Sequence, residues 1–365
     1  MTRRSLLGLA ALPVLAEESL AADSMVTASV QKLQLKHTWT TVMSSSTHRD
    51  VLYTTISQDG LTGRGEGAGI VRYGESAESG AAFVNRLAPD LARMDLRQFG
   101  KVIDWVLKQS EADWAAKAAL DIAIHDWVAQ RRAMPVHALW GLDPRDAPLT
   151  TFSIGIDTAE VIRQKVREAK AYPVLKVKVG LKNDEEVIEA VRSVTKKPLR
   201  VDANEGWKDK DEAVRKINWL EKMGVEFIEQ PMPAHMVEET RYVRQRVHIP
   251  IIADEACLRP ADIPKLAQAY DGVNTKIDKA GGLLQGYRMI QIARSLGLKT
   301  MLGCMISSSV AITAAAQLSP LVDYADLDGN LLIANDPYTG VRVINGKLTL
   351  PTGNGLGLQG SRPNA

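Results

Sequence analysis

After Pro148 the chain repeats one pattern eight times: a short apolar segment, a loop and a stretch with helical periodicity. Successive apolar segments start about 22 to 27 residues apart, which fits a strand, a crossover helix and their connections. Eight such units predict an α/β fold of the (β/α)8 barrel type, because eight parallel strands close on themselves instead of forming an open sheet. The predicted strands are TTFSIG (150–155), VLKVKV (174–179), LRVDAN (199–204), EFIEQP (226–231), IIADEA (251–256), VNTKID (273–278), TMLGCM (300–305) and VDYADLDG (322–329).

The barrel is predicted to occupy residues 147–330, with a second domain formed by most of the remaining chain. Residues 24–146 carry two β segments, VTASVQKLQLK and VLYTTISQDGLTGRGEGAG, followed by three segments with helical periodicity. Asp59-Gly60, between apolar alternations, is a hairpin signal. We therefore expect an N-terminal α+β capping domain over 24–146. The Gly-rich tail, residues 331–365, has two short β patterns and no strand–helix unit, so we expect it to run back along the capping domain and complete it.

The first 23 residues are predicted to be an export signal. Arg3 and Arg4 precede an apolar run, residues 6–16, that is too short to span a bilayer, and two alanines further on offer a cleavage site. The Thr-Arg-Arg-x-Leu-Leu order resembles a twin-arginine signal, with an ordinary secretory signal as the alternative. We therefore expect a periplasmic protein.

Charge and hydropathy exclude two classes of partner. The 45 basic and 43 acidic residues give a formal net charge of only +2, without a block of like charge, so we expect no nucleic-acid partner. No apolar run in the mature chain approaches the length of a transmembrane helix, so we expect no membrane association.

Three predicted barrel strands end in carboxylates: Asp202, Glu229 and Asp254. In such a barrel the carboxyl ends of the strands form the active face. Carboxylates that end apolar strands need a positive charge between them, which basic side chains could supply. Three acids from neighbouring strands favour instead a hard divalent cation, magnesium or manganese. Asn204 and Glu255 lie next to this site in the sequence, and Glu255 is the alternative to Asp254, because a slip of one residue exchanges the faces of a strand.

Lysines occupy the predicted strands on either side of the three carboxylates. Lys176 and Lys178 are two residues apart in an apolar strand, so their side chains point the same way. Crowded ammonium groups and a nearby cation lower the pKa of an amine, which predicts Lys178 as a general base and Lys176 as the residue that adjusts its pKa. A surface edge strand is the alternative. On the other side, strand alternation places Lys276 and Asp278 on one face and Lys279 on the opposite one, which favours Lys276 as the second base.

These motifs together resemble the enolase superfamily, in its muconate lactonizing enzyme subgroup. They are the K-x-K of residues 176–178, the three strand-end acids and the K-x-x-K-x-G-G of residues 276–282. AKAALDIAIHDWVAQ resembles the last helix of the family's capping domain and PTGNGLGL its closing segment, so the resemblance covers nearly everything after the export signal. It implies a modified TIM barrel, assembly into a homo-oligomer, and a base acting beside magnesium that stabilises an enediolate.

The D-L-D sequence at the end of the eighth predicted strand narrows the implied reaction. Asp326 and Asp328 share a face and resemble the D-x-D of dipeptide epimerases, in which the acids bind the free α-amino group of the substrate; a solvated loop is the alternative. Thr151 matches a strand-one position that contacts the peptide in that family. The resemblance implies that the α-carbon of the C-terminal residue of a dipeptide is epimerised by two lysines, Lys178 and Lys276.

The sequence indicates the identity of the dipeptide less clearly than the type of reaction. RYGES, residues 72–76, resembles the capping region of L-Ala-D/L-Glu epimerases, which implies a substrate-binding role for Arg72 and, with an export signal, work on cell-wall peptides. Residues 44–47 are mostly serines where relatives of that specificity carry an arginine, so Arg49 or Arg72 is the candidate replacement. Other dipeptides, including hydrophobic ones, remain open. So do a cycloisomerase or dehydratase of the same superfamily and a non-catalytic periplasmic binding protein.

Overall fold

The computed structural model describes residues 25–360, which form a capping domain and an eight-stranded barrel. The predicted fold class is confirmed. The predicted export signal lies outside the described residues, and the exact domain boundaries stay a prediction. Among residues 25–360, no helix has both the length and the apolar character that crossing a membrane requires.

The capping domain begins with a three-stranded antiparallel sheet and continues with three helices. The sheet has the order β1-β2-β3, and β2 and β3 are joined by the predicted hairpin turn. Asp59 and Gly60 both have positive φ, 51° and 73°, as this tight turn requires. The elements are β1 (Met25–Thr40), β2 (Ser45–Gln58), β3 (Leu61–Gly67), α1 (Ala77–Leu91), α2 (Phe99–Leu107) and α3 (Trp114–Arg131).

Strand β3 and helix α3 approach each other unusually closely because both present residues without bulk. The residues of β3 that face α3 are every second one along the strand, and all of them are glycines. A Cβ built on Gly65 would overlap the backbone of Ala119. Ala115 and Ala123, one turn before and after Ala119 on α3, face the neighbouring glycines of β3 in the same way. The helical stripe of the sequence therefore packs flat against the sheet.

We expect Gly65→Ala to destabilise the protein by about 3 kcal/mol, because the added methyl group meets helix backbone that cannot move aside without shifting α3. The free energy of unfolding from urea titration measures this effect. Gly100→Ala in α2, where a Cβ would meet nothing within 4 Å, is the control and should not destabilise the protein. Equal stability of Gly65→Ala and the wild type would contradict the close approach.

All eight predicted barrel strands are present and parallel, in sequential order around the sheet. The barrel closes between its first and last strands, where Thr151 N donates to Ala325 O at 3.3 Å. The strands are β4 (Phe152–Ile154), β5 (Leu175–Lys178), β6 (Leu199–Asp202), β7 (Val225–Glu229), β8 (Ile251–Ala253), β9 (Gly272–Lys276), β10 (Lys299–Gly303) and β11 (Tyr324–Asp326).

The helices of the barrel surround these strands, and the main apolar core lies between the two layers. On β5, Leu175 and Val177 belong to this core, while Lys176 and Lys178 alternate with them and point into the barrel. Period-two alternation therefore delivers both lysines to the interior. The helices are α4 (Ala159–Glu168), α5 (Asp184–Arg192), α6 (Lys210–Lys222), α7 (Val237–Arg244), α8 (Ile263–Leu266), α9 (Ile277–Ala280), α10 (Leu283–Ser295) and α11 (Ser309–Ala316).

The tail returns to the capping domain, as expected. Ala334 N donates to Gln34 O at 2.8 Å on β1, and Leu356 N donates to Asp126 Oδ1 at 2.8 Å on α3. Its short strands are β12 (Tyr338–Thr339), β13 (Arg342–Ile344), β14 (Lys347–Thr349) and β15 (Gln359–Gly360).

Buried carboxylates join the capping domain to the barrel. Glu66 of β3 accepts hydrogen bonds from Ser308 N at 2.8 Å and Ala311 N at 3.1 Å, at the start of α11. Asp121 of α3 accepts from Leu283 N, the first residue of α10, at 2.6 Å. The free N–H groups of two barrel helices are therefore capped by side chains from the other domain. In the reverse direction, Asp278 of the barrel accepts from the backbone N–H of Ala68 at 2.8 Å.

Candidate active site

Apart from Thr151 and Arg72, the predicted site residues gather at the carboxyl ends of six barrel strands, beneath the capping domain. Each one closes a strand or lies within two residues of its end, so the regular barrel determines its position. Lys176 and Lys178 belong to β5, Asp202 ends β6, Glu229 ends β7, Asp254 follows β8, Lys276 ends β9, Asp326 ends β11 and Asp328 lies two residues further on.

Asp202, Glu229 and Asp254 form a buried cluster in which one carboxylate oxygen of each lies within 4.8 Å of the others. Burial and the neighbouring Asp202 raise the pKa of Glu229 to about 7. The ammonium group of Lys176 lies 2.7 Å from Glu229 Oε2 in an ion pair, but no hydrogen bond is directed at this buried oxygen. An all-oxygen donor set with an oxygen still lacking a directed partner fits a hard cation such as Mg²⁺.

Glu255, the alternative to Asp254, lies outside the cluster of three carboxylates. Its Oε1 accepts from Asn204 Nδ2 at 3.2 Å, and burial together with Asp254 raises its pKa to about 8. The backbone N–H of Asn204 donates to Asp202 Oδ1 at 2.9 Å. Asn204 and Glu255 thus adjoin the acidic cluster, Asn204 by holding one of its carboxylates.

Lys178 and Lys276 flank the acidic cluster from opposite walls of the barrel. Lys178 Nζ lies 2.6 Å from Asp202 Oδ2, and Lys276 Nζ lies 2.8 Å from Asp254 Oδ2. They belong to β5 and β9, which are four strands apart in a closed barrel of eight and therefore face each other across its axis. Both amines line the same cavity. A carbon held between them can exchange a proton on either face.

Lys279 does not lie where strand alternation predicts, because the strand ends three residues before it. Strand β9 stops at Lys276 and the chain continues as the helical turn α9. The turn brings Lys279 Nζ onto Asp254, where it donates to the backbone oxygen at 2.6 Å and contacts the carboxylate. It also carries Asp278 away from Lys276 and onto the backbone of the capping domain. Asp254 therefore has two lysine partners.

Lys176 is held by three carboxylates. Its Nζ lies 2.6 Å from Asp326, 2.7 Å from Glu229 and 3.3 Å from Asp202. Burial alone would lower the pKa of Lys176, but Asp326, Glu229 and Asp202 outweigh burial and raise this pKa well above its ordinary value. The amine is therefore a fixed positive charge that links the acidic cluster to β11. Its contact with substrate and its effect on Lys178 stay predictions.

The two acids at the end of β11, Asp326 and Asp328, have different surroundings. Burial opposes the charge of Asp326, but Lys176 and Lys178 hold its pKa at about 2. Asp328 accepts from Ser153 N at 2.6 Å, and burial beside Asp326 raises its pKa to about 7. Among the ion pairs of residues 25–360, none includes Asp328. Among the described residues, Asp328 is thus a buried carboxyl group at this face that lacks a cationic partner in an ion pair.

Thr151 lies beneath the site and not in its wall. It is fully buried, and its hydroxyl donates to Asp326 Oδ1. Ser153, the next residue on the same face of the strand, lines the cavity and was missed from the sequence. The alternation that selected Thr151 also identifies Ser153, because residues two apart share a face.

A cavity of about 430 Å³ connects these groups to the capping domain. Ser44, between β1 and β2, lines its wall together with Ser46 and Arg49 of β2. Arg72 also lines the cavity but is already paired with Glu205, through Nη2 to Oε1 at 2.9 Å. Arg49 donates to the backbone oxygen of Gly69. The apolar part of the wall was not predicted and comprises Leu35, Trp39, Met43, Ile70, Val71, Met305, Ile306 and Leu332.

Comparison with known proteins gives two family matches that together span most of the chain. Residues 24–141 match the N-terminal domain of mandelate racemase / muconate lactonizing enzyme, and residues 157–363 match the enolase C-terminal domain-like family.

Individual relatives are similar over nearly their whole length. The L-Ala-D/L-Glu epimerase of Bacteroides thetaiotaomicron is 42% identical over 334 residues, covering 90% of this chain and 85% of that protein. The L-Ala-D/L-amino acid epimerase of Pedosphaera parvula is 41% identical over 327 residues, covering 87% and 94%. Among solved structures, the dipeptide epimerase of Enterococcus faecalis V583 in complex with Mg and L-Leu-L-Tyr superposes with a TM-score of 0.84 at 31% identity, covering 92% and 98%.

Proposed function

This chain belongs to the mandelate racemase / muconate lactonizing enzyme family of the enolase superfamily, and from that premise we propose that it is an isomerase that epimerises dipeptides. The proposal places the reaction at the α-carbon of the C-terminal residue. The single observation that supports it best is the pair of amines, Lys178 and Lys276, on opposite walls beside three clustered carboxylates.

The two lysines would act in turn on opposite faces of the α-carbon. One neutral amine accepts the α-proton, and the ammonium group opposite donates a proton to the other face, which inverts the configuration. The reverse reaction exchanges the two roles, so neither lysine is acid or base only. Asp202 and Asp254, each bonded to one of the two lysines, fix the direction in which each amine points.

Asp202, Glu229 and Asp254 are the residues that would hold Mg²⁺. The bound cation would supply positive charge that stabilises the negative charge developing on the substrate carboxylate. Lys176, fixed between Glu229 and Asp326, adds a permanent positive charge next to this cluster. The relative from Enterococcus faecalis was solved with Mg and a dipeptide.

The other end of the dipeptide would lie at β11, where its free α-ammonium group pairs with Asp328. This carboxylate lines the cavity, is buried, and forms no ion pair of its own among residues 25–360. Asp326 contributes less, because Lys176 and Thr151 already occupy its oxygens.

We expect Asp328→Asn to lower kcat/KM for free dipeptides by about 10- to 100-fold, the usual loss for one charged hydrogen bond. On an N-acetylated dipeptide, the variant and the wild type should have the same kcat/KM, because this substrate has no ammonium group that could pair with Asp328. Solvent-deuterium incorporation measures both rates. A parallel fall for both substrates would show that Asp328 does not bind the ammonium group.

Two classes of dipeptide fit the cavity. L-Ala-D/L-Glu, in cell-wall peptide metabolism, is the first candidate, supported by the name of the relative from Bacteroides thetaiotaomicron. Hydrophobic dipeptides are the second, supported by the largely apolar capping wall, in which Ser44 and Ser46 offer no positive charge and Arg72 is paired with Glu205. The proposed location is the periplasm, through the N-terminal signal of the sequence.

A dipeptide library in D₂O tests the proposal, with mass detection and with Mg²⁺ or EDTA. The expected result is a gain of one mass unit without net consumption of the dipeptide, in the presence of Mg²⁺ only. Consumption of an acid substrate without exchange into any dipeptide would indicate a cycloisomerase or dehydratase. Tight ligand binding without exchange and without Mg²⁺ dependence would indicate a binding protein.

A further inference from the structure

A second cavity, of about 260 Å³, lies directly beside the active-site cavity, between strand β1 and the start of the barrel. The two cavities share five lining residues, which form a common wall. The shared residues are Leu35, Trp39, Ser153, Ile306 and Leu332.

Part of the wall that belongs to the second cavity alone is apolar and aromatic. Phe152 and Tyr172 stack with their ring centroids 4.7 Å apart and form one side, and Leu331 lies on another. These rings are available to contact a further apolar or aromatic group.

The charged side chains in this wall already have partners. Lys165 lies 3.0 Å from Asp157, Glu168 lies 3.1 Å from a ring nitrogen of His37, and Lys36 Nζ donates to the backbone oxygen of Leu331 at 2.9 Å. A ligand group entering the cavity would therefore meet charged side chains that already have hydrogen-bond partners, together with two aromatic faces. A large apolar side chain suits this environment better than a charged one.

The second cavity opens where the first residue of a bound dipeptide would lie. With the C-terminal carboxylate near the acidic cluster, the ammonium group reaches Asp328, which accepts from the backbone N–H of Ser153 at 2.6 Å. Ser153 lines both cavities. The side chain of the first residue begins two bonds from the ammonium nitrogen, so it starts near the wall that the two cavities share.

We propose that this second cavity is the binding pocket for the side chain of the N-terminal residue, and that it selects dipeptides with a large apolar or aromatic first residue. This inference rests on the proposed epimerase function and specifies its substrate class. It concerns the first residue only and is independent of the residue that is epimerised.

The wild-type enzyme provides the first test. The C-terminal residue is kept constant, at the one that exchanges fastest in the library, and the first residue is varied among L-Ala, L-Leu, L-Phe and L-Lys. We expect kcat/KM for the L-Leu and L-Phe dipeptides to exceed that for the L-Ala dipeptide by at least about 10-fold, the lower range for added methylene groups in a fitting pocket. Exchange that is fastest with L-Ala or L-Lys overturns the inference but leaves the epimerase function intact, whereas no exchange with any dipeptide overturns the function itself.

Thr38→Trp provides the second test, because Thr38 lies on an exposed part of β1 and lines only the second cavity. The indole should fill the pocket, lower kcat/KM for the L-Phe dipeptide by about 10-fold or more, and change that for the L-Ala dipeptide less than about twofold. Thr352→Trp, at an exposed threonine of the tail, is the matched control and should change neither. Tyr172→Ala, which widens the pocket from the opposite wall, should move the preference toward still larger first residues.

Three results would overturn the assignment of the pocket. The first is that Thr38→Trp lowers kcat/KM equally for the L-Ala and L-Phe dipeptides. The second is that it lowers kcat/KM for neither. The third is that, with L-Ala kept as the first residue, the fall in kcat/KM in Thr38→Trp increases with the size of the C-terminal residue. The last result would place the C-terminal side chain in this cavity.

Discussion

Replacement of Lys178 or Lys276 by alanine is expected to lower kcat for dipeptide epimerisation by about 10²- to 10⁴-fold, the usual contribution of a positioned acid or base. Each lysine is bonded to one carboxylate of the acidic cluster, at 2.6 Å for Lys178 and 2.8 Å for Lys276, so each is held where a substrate α-carbon can reach it. Lys182→Ala, at an exposed lysine just after β5, is the control and should retain wild-type turnover.

The two lysine variants should also differ from each other. Because the amines face the α-carbon from opposite walls, each variant should lose solvent exchange more severely from one epimer of the substrate than from the other, with the opposite preference in the second variant. Exchange starting from each pure epimer in D₂O measures this difference. If both variants lost exchange from the same epimer, the two amines would not lie on opposite faces of the substrate.

Loss of the proposed metal ligand Glu229 is the second large effect. We expect Glu229→Gln to lower kcat by roughly 10²- to 10³-fold, as loss of a group that helps stabilise developing charge does. Glu229→Gln tests metal binding separately from proton transfer. Lys178 and Lys276 are hydrogen-bonded to Asp202 and Asp254, and they keep those contacts in the variant.

A binding measurement on the same variant needs no substrate. For the wild type, Mg²⁺ at about 100 times its dissociation constant should stabilise the folded state against unfolding by about 2.7 kcal/mol relative to EDTA. This stabilisation should be much smaller in Glu229→Gln and unchanged in Glu226→Gln, which alters a half-exposed carboxylate on the same strand. Equal Mg²⁺ stabilisation in the wild type and Glu229→Gln would show that the cation binds elsewhere.

Much of the fold could be predicted because barrels of this class have two strict regularities. The unit repeats at nearly constant spacing, and the alternation along each strand separates core residues from interior ones, as for Val177 and Lys178. Together they identify which residues reach the carboxyl-end face. Strand order and the parallel direction then place Asp202, Glu229 and Asp254 side by side.

The failures occurred where the chain leaves regular structure or where a contact joins distant segments. Alternation could not position Lys279, because a helical turn replaces the strand after Lys276. The pairing of Arg72 with Glu205 joins positions 133 residues apart and has no local signal. The role of Thr151 in holding Asp326 depends on the closure of the barrel, which brings its first and last strands together.

The buried carboxylates that join the capping domain to the barrel limit how substrate can enter. Hinged separation of the two domains would uncap α10 and α11 at once, since Asp121 and Glu66 hold their first N–H groups, and each lost cap costs about 0.5–2 kcal/mol. The short segment between β1 and β2, which carries Ser44, has no part in those contacts. Binding and release of dipeptides should therefore depend on local motion of this segment, while the rest of the capping domain stays in contact with the barrel throughout turnover.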